Sequence, residues 1–176
     1  MSDTPYIASE DSGLLRRVLE GESGDSCLEI GAGNGGNLVE LSRRYSLVVG
    51  TDIVKPTMSD WSEAGANYVL ADGATCLRDS AFDLVAFNPP YIAADETGDP
   101  AVEGGRSLEV PRAFLREALR AANRRGRIVF LLSDEADVEE FRTECRKRGF
   151  GLEKLTSERY FFEELTVYLG IADWLS

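Results

Sequence analysis

The sequence predicts a single α/β domain over residues 1–176, in which a mostly parallel sheet carries helices on both faces. Two observations lead there. Short apolar runs at 27–30, 47–49, 68–70, 82–87 and 128–132 are rich in β-branched residues and too short for buried helices. Helical patterns fall between several of them, and strand–helix–strand repetition demands parallel neighbours. Pro111 opens one such helix, with Phe114, Leu115, Ala118, Leu119 and Ala122 on one face. Another carries Val138, Phe141 and Cys145 and stops at Gly149, a natural helix terminator. The tail departs from this rhythm, because the strand-like runs 151–155 and 165–170 have no helix between them. An antiparallel last strand fits best, and it brings the sheet to seven strands.

Composition narrows the chemistry. The chain has no histidine, which removes the commonest general base and any Ser-His or Cys-His nucleophile. Cys27, Cys76 and Cys145 lie far apart, so neither a metal site nor a disulfide framework is expected. No apolar stretch approaches the roughly 20 residues of a membrane span, and a soluble, cytoplasmic protein is expected. Acids outnumber bases 31 to 19, for a formal charge of −12. Such a surface repels free nucleic acid at ordinary salt. With Lys55, Lys147 and Lys154 as its lysines, the chain also resembles halophilic proteins, whose carboxylates keep the surface hydrated.

Directly after the first strand comes Glu29-Ile30-Gly31-Ala32-Gly33-Asn34-Gly35-Gly36, followed by a helix from about Asn37 with Leu38, Val39 and Leu41 facing inward. A glycine-rich turn between strand and helix lets a ligand approach the backbone. Asp52, about 20 residues on at the end of the next strand, is placed to accept hydrogen bonds from ribose hydroxyls. Those features suit a nicotinamide dinucleotide as well as S-adenosylmethionine. Glu29 tilts the choice, since a carboxylate suits the cationic methionine end of S-adenosylmethionine and would be unhelpful beside a pyrophosphate. Asp72, followed by Gly73, ends the third strand, where it could accept from an adenine amino group.

The most specific signal is Asn88-Pro89-Pro90-Tyr91 at the end of the fourth strand. Two prolines fix the backbone around Asn88 and have no N–H to offer. The loop therefore presents acceptors, the Asn88 side-chain oxygen and the Pro89 carbonyl, to a planar NH₂ group with two donors. Such a nitrogen is a poor nucleophile. Holding both hydrogens orients it and stabilises the charge that develops as it attacks a methyl group, so no strong base is needed. Tyr91 can lay its ring against the planar group. The long acidic stretch 93–108 is the candidate lid.

These residues resemble the HemK-like class I methyltransferases, of the archaeal and eukaryotic type that modifies the glutamine of a Gly-Gly-Gln motif in peptide chain release factors. The opening Tyr6-Ile7-Ala8-Ser9-Glu10-Asp11-Ser12-Gly13-Leu14-Leu15 is similar to that family's start, though Ala8 stands where proline is usual. The resemblance implies a Rossmann-like class I methyltransferase fold. It implies S-adenosylmethionine contacts from Ser12, Glu29, Gly31, Gly33, Asp52, Asp72, Gly73 and Asn88, with Asn88, Pro89 and Tyr91 at the substrate amide. It further implies a heterodimer with a small zinc-ribbon activator protein along the edge strand 67–71, and a role in translation termination. The alternative substrate is an exocyclic amine of adenine or guanine in DNA or RNA. Against it stand the chain's charge and the lack of a target-recognition domain or of a Lys/Arg patch with interleaved aromatics.

Overall fold

A computed structural model describes residues 10–57, 60–89, 109–134, 136–160 and 163–172, with side chains for all of these except 10–12 and 60. Tyr91 and the 93–108 stretch lie outside the described residues, as does the opening segment up to residue 9. The strands are β1 (Gly24–Ile30), β2 (Tyr45–Asp52), β3 (Asn67–Leu70), β4 (Phe82–Phe87), β5 (Ala122–Ser133), β6 (Phe150–Tyr160) and β7 (Glu163–Ala172). The helices are α1 (Glu10–Leu19), α2 (Gly36–Leu41), α3 (Asp60–Glu63), α4 (Glu109–Ala121) and α5 (Val138–Lys147).

The strands form one seven-stranded sheet in the order β3, β2, β1, β4, β5, β7, β6. The first five are parallel, and β7 runs antiparallel to both β5 and β6. Alternation along each strand divides the core in two. Leu28, Ile30, Val85, Phe87, Ile128, Phe130 and Leu132 point to one face, where Leu115 and Leu119 of α4 and Phe141 and Cys145 of α5 cover them. Cys27, Leu84, Ala86, Val129 and Leu131 point to the other, under Leu14, Leu15 and Leu19 of α1 and Leu38 and Leu41 of α2. Inward positions at a period of two on strands and three to four on helices are what a three-layer arrangement requires.

Sequence and structure differ at the margins. Val39 is only half-buried, and Asn37 takes an inward position of α2 instead. Pro111 sits within the first turn of α4 rather than opening it, with Glu109 and Val110 ahead of it. A proline is tolerated there because first-turn N–H groups have no partner inside the helix. Strand β5 begins at Ala122, well before the apolar run, because Asn123 to Arg127 extend it with side chains that periodicity cannot distinguish from loop. The α5 helix ends at Lys147, and Gly149, just past the Arg148 cap, has φ +78°, as expected of a left-handed terminator.

Candidate functional site

Chain order reverses on either side of β1, with β2 and β3 to one side and β4 and β5 to the other. Open α/β sheets bind ligands in the crevice that such a reversal leaves at the strands' carboxyl ends. The register brings the candidate residues to that edge. Ile30 pairs with Thr51 and with Phe87, and Asp52 pairs with Leu70. The residues just beyond these pairs are the glycine turn, Asp72 and Asn88.

The turn leaves β1 as the Gly31 and Ala32 N–H groups both donate to the Thr51 carbonyl, at 2.8 and 2.9 Å. Gly33 and Gly35 then take φ values of +54° and +78°, a region that residues with a Cβ enter only with strain. At Gly35 a Cβ would also fall 2.8 Å from the Trp61 ring. The Gly33 peptide is gripped from both sides. Its N–H donates to Asp52 Oδ2 at 2.8 Å, and its carbonyl accepts from the Tyr68 hydroxyl at 2.6 Å. The second Asp52 oxygen accepts from the Val54 N–H at 2.9 Å. Asp52 thus organises two turns at once while keeping lone pairs for further donors.

Glu29 is 3% exposed. Its Oε1 accepts from Asn37 Nδ2 at 2.6 Å, and Asn37 Oδ1 in turn accepts from Arg16 Nε at 3.1 Å. Its Oε2 is buried with no hydrogen-bond partner. A buried acceptor left unmade costs about 1–3 kcal/mol, so this oxygen is a site for a donor from outside the chain. Burial pushes the Glu29 carboxyl up to about 8, against the Asn37 hydrogen bond and the Arg16 charge, which favour the ionised form. The fold therefore prefers the protonated acid, and a cationic donor would reverse that preference.

A stability test follows. The folded carboxyl lies above its ordinary value of 4.5, so its contribution is full below that value and is lost as pH climbs towards about 8. In the cofactor-free protein, Glu29→Gln should flatten the fall in denaturation midpoint between those limits. Identical pH dependence in both proteins would show that Glu29 does not titrate in this way.

The other candidate residues are placed as follows. Asp72 is exposed and its carbonyl accepts from Thr75 Oγ1 at 2.8 Å, and Gly73 follows with φ +57°. Asn88 is half-buried between Phe87 and Pro89, both buried. The Ser12 side chain and Tyr91 lie outside the described residues. The structure thus brings Glu29, Gly31, Gly33, Asp52, Asp72, Gly73, Asn88 and Pro89 to one edge of the sheet. Sequence reasoning missed Arg16, Asn37 and Tyr68, which act through contacts 8 to 35 residues apart in the chain. An inward-facing asparagine in the helix after the turn is the one signal that could have been read. Among the described residues no group of three or more His, Cys, Asp or Glu side chains could hold a metal ion, and no helix is long and apolar enough to cross a membrane.

Residues 28–89 match the family model described as a methyltransferase domain. That match spans β1 to the Asn88–Pro89 corner, the part of the chain that forms the edge just described. The chain has the class I methyltransferase fold, and a methyltransferase domain implies S-adenosylmethionine as its cofactor. No curated protein matches it in a sequence search. Among solved structures it is similar to the E. cuniculi Mtq2–Trm112 complex responsible for methylation of the eRF1 translation termination factor. That likeness has a TM-score of 0.77 and 26% identity, covering 96% of this chain and 98% of the other. Two further likenesses show the fold alone. The magnesium protoporphyrin IX methyltransferase of Synechocystis, with bound SAM, gives a TM-score of 0.65 at 14% identity over 93% of this chain and 78% of that one. A T. thermophilus 16S rRNA N2 G1207 methyltransferase, in complex with AdoMet and guanosine, gives a TM-score of 0.60 at 20% identity, over 91% of this chain and 39% of that one.

Proposed function

We propose that this methyltransferase transfers a methyl group from S-adenosylmethionine to the side-chain amide nitrogen of the glutamine in a Gly-Gly-Gln motif of a peptide chain release factor. The observation that carries this reading is the Asn88-Pro89-Pro90-Tyr91 sequence directly after β4, on a chain alike over nearly its whole length to a methyltransferase of a termination factor. Bound S-adenosylmethionine supplies the electrophilic methyl group. Asn88 Oδ1 and the Pro89 carbonyl would accept hydrogen bonds from the two amide N–H groups and turn the nitrogen lone pair towards the methyl carbon, with Tyr91 restraining the amide plane. As the N–CH₃ bond formed, the S–CH₃ bond would break, releasing the neutral thioether, and the surplus N–H proton would pass to water.

The residues at the edge suit the cofactor. Glu29 Oε2, buried and without a donor from the chain, fits the α-ammonium of the methionine moiety. Asp52 accepts from the ribose hydroxyls, Asp72 accepts from the adenine amine, and Gly31, Gly33 and Gly73 let the ligand approach the backbone. The family resemblance adds Ser12 to the residues that contact the cofactor.

The same reading includes a small zinc-ribbon activator on β3. That strand is at the edge of the sheet, and Leu70 and the nearby Ile53 are 64% and 61% exposed. A strand paired on one side only, with apolar side chains in water, invites a partner that adds main-chain hydrogen bonds on its open side. Val69 packs partly on the core, so Leu70 is the side chain in better position to meet that partner.

One assay tests substrate and partner together. Release factor carrying Gly-Gly-Gln, its Gln→Ala version, and DNA and RNA oligonucleotides are offered with labelled cofactor, with and without the activator. Label should enter the Gly-Gly-Gln protein alone, and more strongly with the activator present. Equal labelling of both release factors, or labelling of nucleic acid alone, would overturn the glutamine assignment in favour of a nucleobase amine. Full activity without the activator would remove the partner.

A further inference from the structure

S-adenosylmethionine ends in an amino acid, which carries a cation and an anion on one carbon. Glu29 answers only the cation. An anion of that kind needs a positive group within reach of Glu29, and the described residues place one there.

Arg16 lies on α1, which packs against α2, with its guanidinium half-buried over the start of α2. Its Nε donates to Asn37 Oδ1 at 3.1 Å, and the other end of that amide holds Glu29. Its Nη2 sits 2.7 Å from the point a Cβ on Gly36 would occupy, so the guanidinium rests against the glycine turn in space that a side chain there would contest. A guanidinium carries five N–H donors in a fixed fork, and the Asn37 bond uses one of them. Among the described residues no carboxylate pairs with Arg16, whereas its neighbour Arg17 is paired with Glu158. In a chain with 31 acids to 19 bases, an arginine beside a ligand edge with no ion-pair partner among the described residues calls for an explanation. Holding Asn37 accounts for Nε and leaves the Nη groups unassigned.

We propose that Arg16 is a cofactor-binding residue whose Nη donors take the α-carboxylate of S-adenosylmethionine, so that Glu29 and Arg16, tied through Asn37, recognise the two charges of the methionine zwitterion. This rests on the placement of the methionine end at Glu29 given above. Guanidinium–carboxylate pairs are charge-assisted and often bidentate, which gives direction as well as energy. The pair also explains why Glu29 and Arg16 are bridged by a neutral amide rather than paired directly. A direct ion pair would neutralise both groups before the ligand arrived.

The test uses calorimetry with two ligands, S-adenosylmethionine and its decarboxylated form, which keeps the ammonium and lacks the anion. Circular dichroism first establishes that each variant folds. Arg16→Ala should weaken S-adenosylmethionine about 10- to 150-fold, the worth of a hydrogen bond to a charged group, and leave the decarboxylated ligand within roughly threefold of its original affinity. Arg16→Lys keeps the charge without the fork and should recover part of the loss. Equal losses for both ligands would show that Arg16 acts only by holding Asn37, and no loss for either would show no role; both overturn the assignment. Glu29→Gln separates the two levels. If it weakens both ligands while Arg16→Ala does not discriminate between them, the Arg16 assignment alone fails. If it weakens neither, the placement of the methionine end fails with it.

Discussion

Asn88→Ala is expected to lower turnover by about 10²–10³, the usual consequence of deleting one hydrogen-bond partner from a transition state, and to change cofactor affinity far less. The loss belongs to kcat because the amide is held most tightly when its nitrogen carries positive charge, which happens only during transfer. The site is rigid enough for such a deletion to matter. Phe87, the residue before Asn88, stacks on Phe130 with ring centroids 4.9 Å apart and planes 2° from parallel, and Phe114 meets it edge-on at 6.1 Å. Pro89, the residue after, is buried. Alanine at 88 therefore removes the acceptor from a corner whose neighbours on both sides stay packed. Single-turnover transfer to a Gly-Gly-Gln protein, at saturating cofactor, is the measurement. Turnover within roughly threefold of the unaltered enzyme would exclude Asn88 from the reaction.

The second large effect is on cofactor binding. Asp52→Ala should weaken S-adenosylmethionine roughly 10- to 150-fold through lost hydrogen bonds from the ribose to a charged acceptor. Alanine also releases the Gly33 N–H, held at 2.8 Å, and the Val54 N–H, held at 2.9 Å. The glycine turn then keeps the Tyr68 hydroxyl on the Gly33 carbonyl but loses its opposite restraint. Asp52→Asn divides these effects, because an amide oxygen can still accept from one N–H while the charge is gone. Binding should fall in the order aspartate, asparagine, alanine. Unchanged affinity in folded Asp52→Ala protein, measured by calorimetry, would remove Asp52 from the cofactor site.

The parts of this molecule that were legible in the sequence are those governed by local rules. A strand buried on both faces must be apolar throughout, so β4 and the centre of β5 stood out. A chain that turns sharply from strand to helix needs positive φ, so Gly31 to Gly36 stood out. Two consecutive prolines after a strand fix a corner wherever they occur. The parts that were not legible depend on contacts between distant segments. Asn37 looks like an ordinary polar residue at a helix start until Glu29 and Arg16 are seen on either side of its amide. Tyr68 reads as one more aromatic in a strand, yet its hydroxyl fastens a carbonyl 35 residues earlier. Asp52 was read as a ligand acceptor alone, although it holds the turn together as well. Strand ends escaped for a similar reason: Ala122 and Arg127 pair with Phe82 and Leu84 across a register shift that takes up Asn123 to Gly126, and such a bulge leaves no mark in side-chain hydropathy.

The order of the sheet has a consequence for how the chain acquires it. Strand β7 follows β6 in sequence but lies between β5 and β6, bonded to each. During synthesis β6 therefore emerges before the strand that will join it to the rest of the sheet. Until β7 arrives, β5 keeps an open edge whose buried side chains, Val129 to Leu132, have no neighbour on that side. The five parallel strands can assemble as the ribosome delivers them, but closure of the sheet waits for β7, which inserts as one antiparallel segment against both waiting strands. Nascent chains halted before residue 163 would expose that apolar edge, the condition in which unfinished sheets associate with one another.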